Sequence, residues 1–403
     1  MSVLEETLAS HRYALGLDQD NADTLFNTAQ VLTSIAEEVA KDVSLSDASA
    51  VTYLEESLEL SQRCLALQEF RYTESQEQAA EARQVLEEAG EQDDFMDELS
   101  RPAQDSDYGL EDGRWASIVE PVTKDTLIDT ALAQLSALTT LCGILGSASQ
   151  APDVPSLAWI EEYSSTLLSV RLPTLLEGSE RSVEAGIARA VFITAMLEAG
   201  YRKGQIDVQT YRQDTDAAFA TLPMSTSFDA VMSQAASLFA FNIALSESES
   251  VPTASIDLAS LRWKALATAL SNLATVSKLP DLAAEDISRT HELRGDASLY
   301  QYQLSKPPVA YPPAVKHSAA LLKNAEVFYR NASRLTYDDE ARDKCGLHEA
   351  IVMLLAANTQ VGRGQVESIA TNRGDRWLRE RIDEVVADDL LSGDDLRKIG
   401  LHP

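Results

Sequence analysis

The feature that most constrains the fold is a regular alternation of helix-spaced apolar residues and short polar turns. Residues 11–32 show it clearly and read HRYALGLDQDNADTLFNTAQVL. An apolar helical turn closes at Leu17, and the polar DQDN after it interrupts the helix because its side chains compete for backbone hydrogen bonds. Leu25 and Ala29 then recur at helical spacing, which predicts a second helix from about Ala22.

The same pattern continues along the chain and predicts an all-α protein. Only 17 Gly and 13 Pro punctuate 403 residues, runs of β-branched residues are rare, and 45% hydrophobic residues suffice for a sizeable core. Pro173 should end or bend the helix that contains it. Helices are predicted at 50–68, 74–89, 120–145, 153–168, 180–200, 205–220, 227–246, 340–357 and 374–391.

Two stretches with a different composition divide the helical pattern. Residues 87–113 are strongly acidic and contain Gly and Pro, which predicts a flexible linker. Residues 305–313 read SKPPVAYPP, which predicts a stiff, extended connector. The predicted organisation is therefore N-terminal helices at 1–86, the acidic linker at 87–113, a central helical array at 114–304, the Pro-rich connector at 305–313 and a C-terminal helix pair with a capping helix at 314–403.

Charge limits the classes of partner. Asp and Glu number 64 against 33 Lys and Arg, which gives a net charge of −31. Nucleic-acid binding rests on cations that neutralise phosphates, so this balance argues against a direct nucleic-acid partner and against an anionic membrane surface. A basic polypeptide would be attracted. Alternatively, the acidity only keeps the protein soluble.

The cysteines and the N-terminus bear on location. Cys64, Cys142 and Cys345 are widely separated and form neither a disulfide framework nor a CxxC motif, which favours a reducing compartment. The N-terminal stretch has no apolar signal core. Apolar stretches near 127–145 and 183–201 are interrupted by polar residues and are not predicted to span a membrane. We therefore expect a cytoplasmic or nuclear protein.

Motifs for catalysis are incomplete. HELRG at His291 and HEAIV at His348 begin like a zinc-peptidase helix, but neither has a second histidine one turn later. The chain contains neither a GxSxG nucleophile elbow nor a GxxxxGK[ST] phosphate loop. Cys142 lies in an apolar helix, where a thiolate is disfavoured. The sequence therefore predicts a non-enzymatic protein without a cofactor.

The opening stretch resembles a tetratricopeptide repeat, with an LDQDNAD turn between the second helix of one repeat and the first helix of the next. LRWKALATAL at 261–270 resembles the first-helix spacing of that family, and NAEVFYRNASRLTYDDEA at 324–341 resembles its second-helix spacing. The positions that carry the resemblance are Ala14, Ala29, Cys64, Trp263, Leu266, Ala267, Ala325, Tyr329 and Ala332.

The resemblance implies a fold and a mode of action. The implied fold is an α-α superhelix of antiparallel helix pairs, a tetratricopeptide-like solenoid, and the implied role is that of dedicated ribosomal-protein assembly chaperones. Asn27 matches an asparagine with which some members clamp an acidic chaperone tail. The cations of such a clamp are missing after Cys64, where the chain reads TESQEQAAEAR, and this argues against that ligand.

The leading hypothesis is therefore a chaperone or assembly factor that shields a basic client, such as a ribosomal protein or a histone-like protein. Carboxylates would steer the client, and apolar side chains would hold it. The alternative is a scaffold subunit of a multiprotein complex, with a solvated linker at 87–113. The candidate client-binding residues are Asn27, Asp93, Asp94, Phe95, Met96, Asp97 and Glu98.

Overall fold

Helices account for all the regular secondary structure that the computed structural model describes, which covers residues 2–41, 47–90, 121–147, 157–248, 255–357 and 359–402. The all-α prediction is therefore confirmed. The chain divides into two compact units, Met1–Ala185 and Gly186–Pro403. The domain boundaries predicted from composition remain a prediction.

The first unit contains α1 to α6. Their bounds are α1 Ser2–Leu17, α2 Ala22–Lys41, α3 Asp47–Gly90, α4 Lys124–Ser147, α5 Leu157–Thr166 and α6 Leu172–Leu176. A π-helical turn, Leu167–Arg171, joins α5 to α6 and places Pro173 in the first turn of α6. The start of α2 agrees with the prediction, whereas the helical backbone continues past Pro173 to Leu176.

The second unit begins within α7 Ser182–Arg202, at Gly186. The helices that follow are α8 Val208–Phe219, α9 Phe228–Ser248, α10 Ser255–Val276, α11 Ala284–Gln303, α12 Pro312–Leu335, α13 Asp339–Leu355, α14 Thr359–Arg373, α15 Asp375–Ala387 and α16 Gly393–Lys398.

Consecutive helices pack against each other in opposite directions. In the first unit, Cys64 of α3 lies against Ala22 near the start of α2, and Ser57 lies against Ala29 further along α2. In the second unit, Glu285 of α11 contacts Thr336 after α12, and Ser288 contacts Ala332. Because one residue number rises as the other falls, both helix pairs are antiparallel.

Two predicted elements differ from the structure. The helices expected at 50–68 and 74–89 form one continuous helix, α3, because nothing between them breaks it; its last residues, 87–90, belonged to the predicted linker. The predicted extended connector at 305–313 is a series of turns, and Pro312 and Pro313 start α12 instead of preceding it. Proline suits the first helical turn because the amide that it lacks has no intrahelical partner there.

The residues behind the tetratricopeptide resemblance are mostly buried. Ala29, Cys64, Leu266, Ala325, Tyr329 and Ala332 belong to the core. Ala14 and Trp263 are half-buried, while Ala267 is exposed and its neighbour Ala265 is buried instead. Small side chains therefore sit where α2 meets α3 and on the buried side of α12, whereas Ala267 is exposed.

Among the helices that the structure describes, two, α4 and the Phe228–Glu247 part of α9, are long and apolar enough to cross a membrane, judged by length and composition. For α4, this differs from the expectation drawn from its polar interruptions. In the most apolar stretch of each helix, 61% and 56% of the residues are buried. Core helices of soluble proteins pass the same test, so the finding is weak evidence for a span.

Candidate functional site

The best-supported site is a small cavity in the first unit where α2, α3 and α4 meet. Its volume is about 160 Å³. Cavities that hold cofactors and other small ligands usually measure about 300–1,000 Å³, so this one suits a single side chain. Seven residues line it: Asp23, Phe26, Asn27, Gln68, Thr126, Asp129 and Thr130.

Local capping explains why α2 presents its acidic first turn to this cavity. The Asn21 side chain accepts a hydrogen bond from the Thr24 amide at 3.0 Å, so it ends the polar turn and starts the helix. Asp23 and Asn27 are then four residues apart and share one helix face. The helix N-terminus also favours the Asp23 carboxylate.

Buried polar groups fix the inner wall. Thr130 of α4 is fully buried, and its hydroxyl lies 2.8 Å from the Gln68 Oε1 of α3. The Cys64 thiol donates to the Ala22 carbonyl at 3.3 Å and lies 3.9 Å from the Thr130 hydroxyl. Burial raises the pKa of Cys64 to about 11, so the thiol stays protonated and acts as a donor that links α2 with α3.

The charge of the lining is negative. Asp23 and Asp129 supply carboxylates, and none of the seven residues is basic. Asp129 pairs with Arg181 at 2.7 Å, whereas the Asp23 side chain forms no ion pair or hydrogen bond with the part of the chain that the structure describes. The α3 arginines that could approach, Arg63 and Arg71, donate to carbonyls of the polar turn at 2.8 and 2.9 Å. Asp23 is thus open to a cation from outside.

Two larger cavities also lie in the first unit, and Arg171 lines both of them. One, of about 380 Å³, includes Gln134, Glu162 and Tyr163; the Tyr163 hydroxyl lies 3.2 Å from the Gln134 Oε1. The other, of about 440 Å³, includes Glu69, Tyr72, Lys124 and Glu177. Their mixed charges distinguish them from the cavity around Asp23.

The second unit contains a separate buried ionisable cluster. The Tyr329 hydroxyl donates to Asp296 at 2.7 Å, and Lys344 pairs with Glu292 at 3.2 Å. Burial, and secondly the Glu292 charge, raise the pKa of Asp296 to about 8, and burial raises that of Asp388. Shifted pKa values are frequent at catalytic sites, but buried ion networks also produce them. None of these residues lines any of the three cavities above.

Within the described residues, the histidines of the two incomplete zinc motifs belong to no group of potential metal ligands. His291 is half-buried, and His348 is buried with a pKa lowered to about 3 by burial and then by Lys344. Across the described residues, no group of three or more His, Cys, Asp or Glu side chains could hold a metal ion.

Of the predicted client-binding residues, Asn27 lines the cavity and is exposed. The others, Asp93, Asp94, Phe95, Met96, Asp97 and Glu98, lie outside the described residues. Asp23, Phe26 and Asp129 were missed by the sequence analysis. The four-residue spacing of Asp23 and Asn27 could have revealed the first, whereas Asp129 joins them only through the packing of α4.

A scan against family models, a search of curated proteins and a search of solved structures each returned no match to this chain.

Proposed function

We propose that this chain is a non-enzymatic helical protein that binds a basic protein client, such as a ribosomal protein, at the cavity formed by α2, α3 and α4. The observation that carries the proposal is the Asp23 carboxylate, which has no partner among the described residues and lies in a cavity of single-side-chain size whose lining contains no cation. The client group that fits it is the ammonium of a lysine or the guanidinium of an arginine.

The physics of the cavity supports a cationic side chain. Phe26 and Asn27 provide an aromatic surface and an amide beside the carboxylate, and an arginine can use all three through stacking and hydrogen bonds. The net charge of −31 accelerates encounter with a basic partner over distances comparable with the Debye length, about 8 Å at physiological salt. A shield for a basic segment needs both properties.

The finer fold belongs to the same proposal. Antiparallel pairing of consecutive helices, and buried small residues such as Ala29, Cys64 and Ala332, are compatible with a tetratricopeptide-like superhelix. Client binding on a concave face, and a cytoplasmic or nuclear location, remain parts of this proposal.

The acidic segment would extend the binding surface. In this proposal its carboxylates neutralise the client while Phe95 and Met96 make apolar contacts. Deletion of 91–113, which leaves α3 intact, should weaken client binding measured by fluorescence anisotropy. Unchanged affinity would reduce the segment to a tether.

A salt titration tests the proposal. The full chain is titrated with a fluorescent Arg/Lys-rich peptide at 50, 100, 200 and 400 mM salt. We expect the logarithm of the affinity to fall steeply with salt because exposed and half-exposed charges are screened. Clients captured from native extract and released by the same salt steps should be basic proteins. Acidic partners that resist salt would contradict the proposal.

A scaffold subunit is the second candidate function, and exposed apolar side chains favour it. Leu17 of α1 and Phe70 of α3 are 73% and 66% exposed, respectively. Such residues can form apolar contacts with a folded partner. Binding through them would change little with salt, so the same titration separates the two functions.

A further inference from the structure

An arginine without a carboxylate partner stands out in the second unit. Arg294 of α11 is half-buried, and its side chain forms neither an ion pair nor a hydrogen bond within the described ranges. Its Nε is buried without a partner. Burial lowers the pKa of Arg294, and no carboxylate opposes that shift. In a chain of net charge −31, a guanidinium in this situation is unexpected.

Other partly buried arginines in this unit form ion pairs with carboxylates. Arg330 holds Glu326 and Glu349, and Arg202 holds Glu198 and Glu247. Within the described residues Arg294 has no such carboxylate, so its charge remains available to an external anion.

Aromatic packing fixes the orientation of this guanidinium. Its Cζ lies 4.1 Å from the centroid of the Phe328 ring, and the His291 ring stacks on the same phenyl group with centroids 6.0 Å apart and planes at 24°. His291 and Arg294 are three residues apart on α11, so they lie side by side. Phe328 thus holds both nitrogen-bearing groups in place from α12.

Three other nitrogen atoms of these two side chains remain available to a ligand. The Arg294 Nε and the His291 Nδ1 are buried and unpartnered, whereas the two Arg294 Nη atoms and the His291 Nε2 are neither buried without a partner nor bonded within the described chain. Two Nη–H groups of one guanidinium match the two oxygens of a carboxylate or a phosphate. The imidazole Nε2–H can supply a third donor.

We propose that His291, Arg294 and Phe328 form a binding site for a single oxyanion, the carboxylate or phosphate group of a ligand. The guanidinium, fixed by its contact with Phe328, binds two oxygens, and His291 donates to the anion from the same side. The site belongs to the second unit and is independent of the basic-client cavity in the first.

Histidine NMR on the full chain tests this site. The chain has five histidines, so the His291 Cε1–H signal can be assigned with His291→Gln. Sodium phosphate and sodium acetate are titrated separately at constant ionic strength and pH. We expect a saturable shift of the His291 signal with at least one of them, and the anion that saturates identifies the group. His317, exposed on α12, should not shift in parallel.

Three variants complete the experiment. Arg294→Gln should weaken anion binding at least tenfold. Arg294→Lys should weaken it less, because lysine keeps the charge but lacks the two parallel N–H donors of the guanidinium. Arg289→Gln, an exposed position on the same helix, should leave binding unchanged. Circular dichroism checks that each variant folds. If Arg294→Gln does not fold, Arg294→Lys alone tests the site. A linear shift shared with His317, or saturable binding that survives both Arg294 substitutions, would overturn the proposal.

Discussion

At the residue scale, Gly295 controls how closely α11 and α12 approach. A Cβ added there would lie 2.6 Å from Cε1 and 2.8 Å from Cδ1 of the buried Tyr329 ring. Tyr329 cannot move away without breaking its hydrogen bond to Asp296. Glycine is therefore required by packing, although it disfavours a helix interior by about 1 kcal/mol relative to alanine.

We predict that Gly295→Ala lowers the free energy of unfolding by about 1–3 kcal/mol, the usual cost of overpacking a core. Urea unfolding followed by tryptophan fluorescence measures it. The matched control is Gly364→Ala in α14, where an added Cβ meets no atom within 4 Å. That variant should be more stable by about 0.5–1 kcal/mol. Equal effects at both positions would contradict the packing argument.

Asp296 gives a prediction about pH. Its pKa is raised from 3.8 to about 8, first by burial and then by Glu292. The folded state therefore binds the proton more tightly than the unfolded state, so this contribution to stability is complete below about pH 4 and is lost as the pH rises through about 8. Lys344 and Tyr329 oppose the shift only in part.

In the native chain, Asp296 should make the free energy of unfolding fall by at most about 1.4 kcal/mol per pH unit between pH 5 and pH 8. We predict that Asp296→Asn removes this fall. The variant should thus gain stability over the native chain as the pH rises. Urea midpoints at four pH values measure this, with the exposed Asp214→Asn as control. A constant difference between the Asp296 variant and the native chain across the range would show that Asp296 is already ionised at pH 5.

Residue-level features were only partly visible in the sequence. Asn27 was recognised from a motif position and does line a cavity. Gly295 and Asp296 lie within the HELRGDAS stretch and gave no signal, because their roles arise from contacts with Tyr329 thirty-odd positions away. Long-range packing of this kind has no local periodicity to detect.

At the element scale, a buried ion network connects α12 with α13. Arg330 of α12 donates to Glu349 of α13 at 2.7 Å and also pairs with Glu326. Burial acts to raise the pKa of Glu326, but hydrogen bonds from Lys323 and Arg330 outweigh burial and lower this pKa. Both glutamates are buried, so their carboxylates depend on these cations.

We predict that Arg330→Met lowers the unfolding free energy by about 3 kcal/mol because, within the described residues, it leaves the buried Glu349 without a paired cation. Arg376→Met serves as control, since Arg376 is 90% exposed and pairs with Glu380 on the same helix. Its effect should be much smaller, because solvent screens an exposed ion pair. Urea unfolding compares the two, and a loss at Arg330 no larger than at Arg376 would contradict a structural role for the network.

Helix positions were easier to predict than helix ends. The start of α2 followed from the DQDN turn, and the helices predicted at 180–200 and 205–220 lie close to α7 and α8. The length of α3 was not predicted, because a charged stretch without apolar periodicity gives no sign that the helix continues through it. Pro312 and Pro313 were interpreted as part of a non-helical segment. Proline is also frequent in the first turn of a helix, where the structure has both residues.

At the scale of the whole molecule, the account depends on how the negative charge is used. A net charge of −31 attracts any polycation, so attraction alone does not define a site. A specific client site requires that one carboxylate matter more than another of equal charge. Asp23 and Asp214 allow this comparison, because both are exposed and neither forms an ion pair within the residues that the structure describes.

The most direct test of the central claim is therefore the affinity of the full chain for an Arg/Lys-rich peptide, measured by fluorescence anisotropy at 150 mM salt for Asp23→Asn and Asp214→Asn. The account predicts that Asp23→Asn weakens binding about tenfold, equivalent to about 1.4 kcal/mol, whereas Asp214→Asn changes it less than about twofold. Equal losses in the two variants would show that only net charge attracts the peptide, and would contradict a client site between α2, α3 and α4.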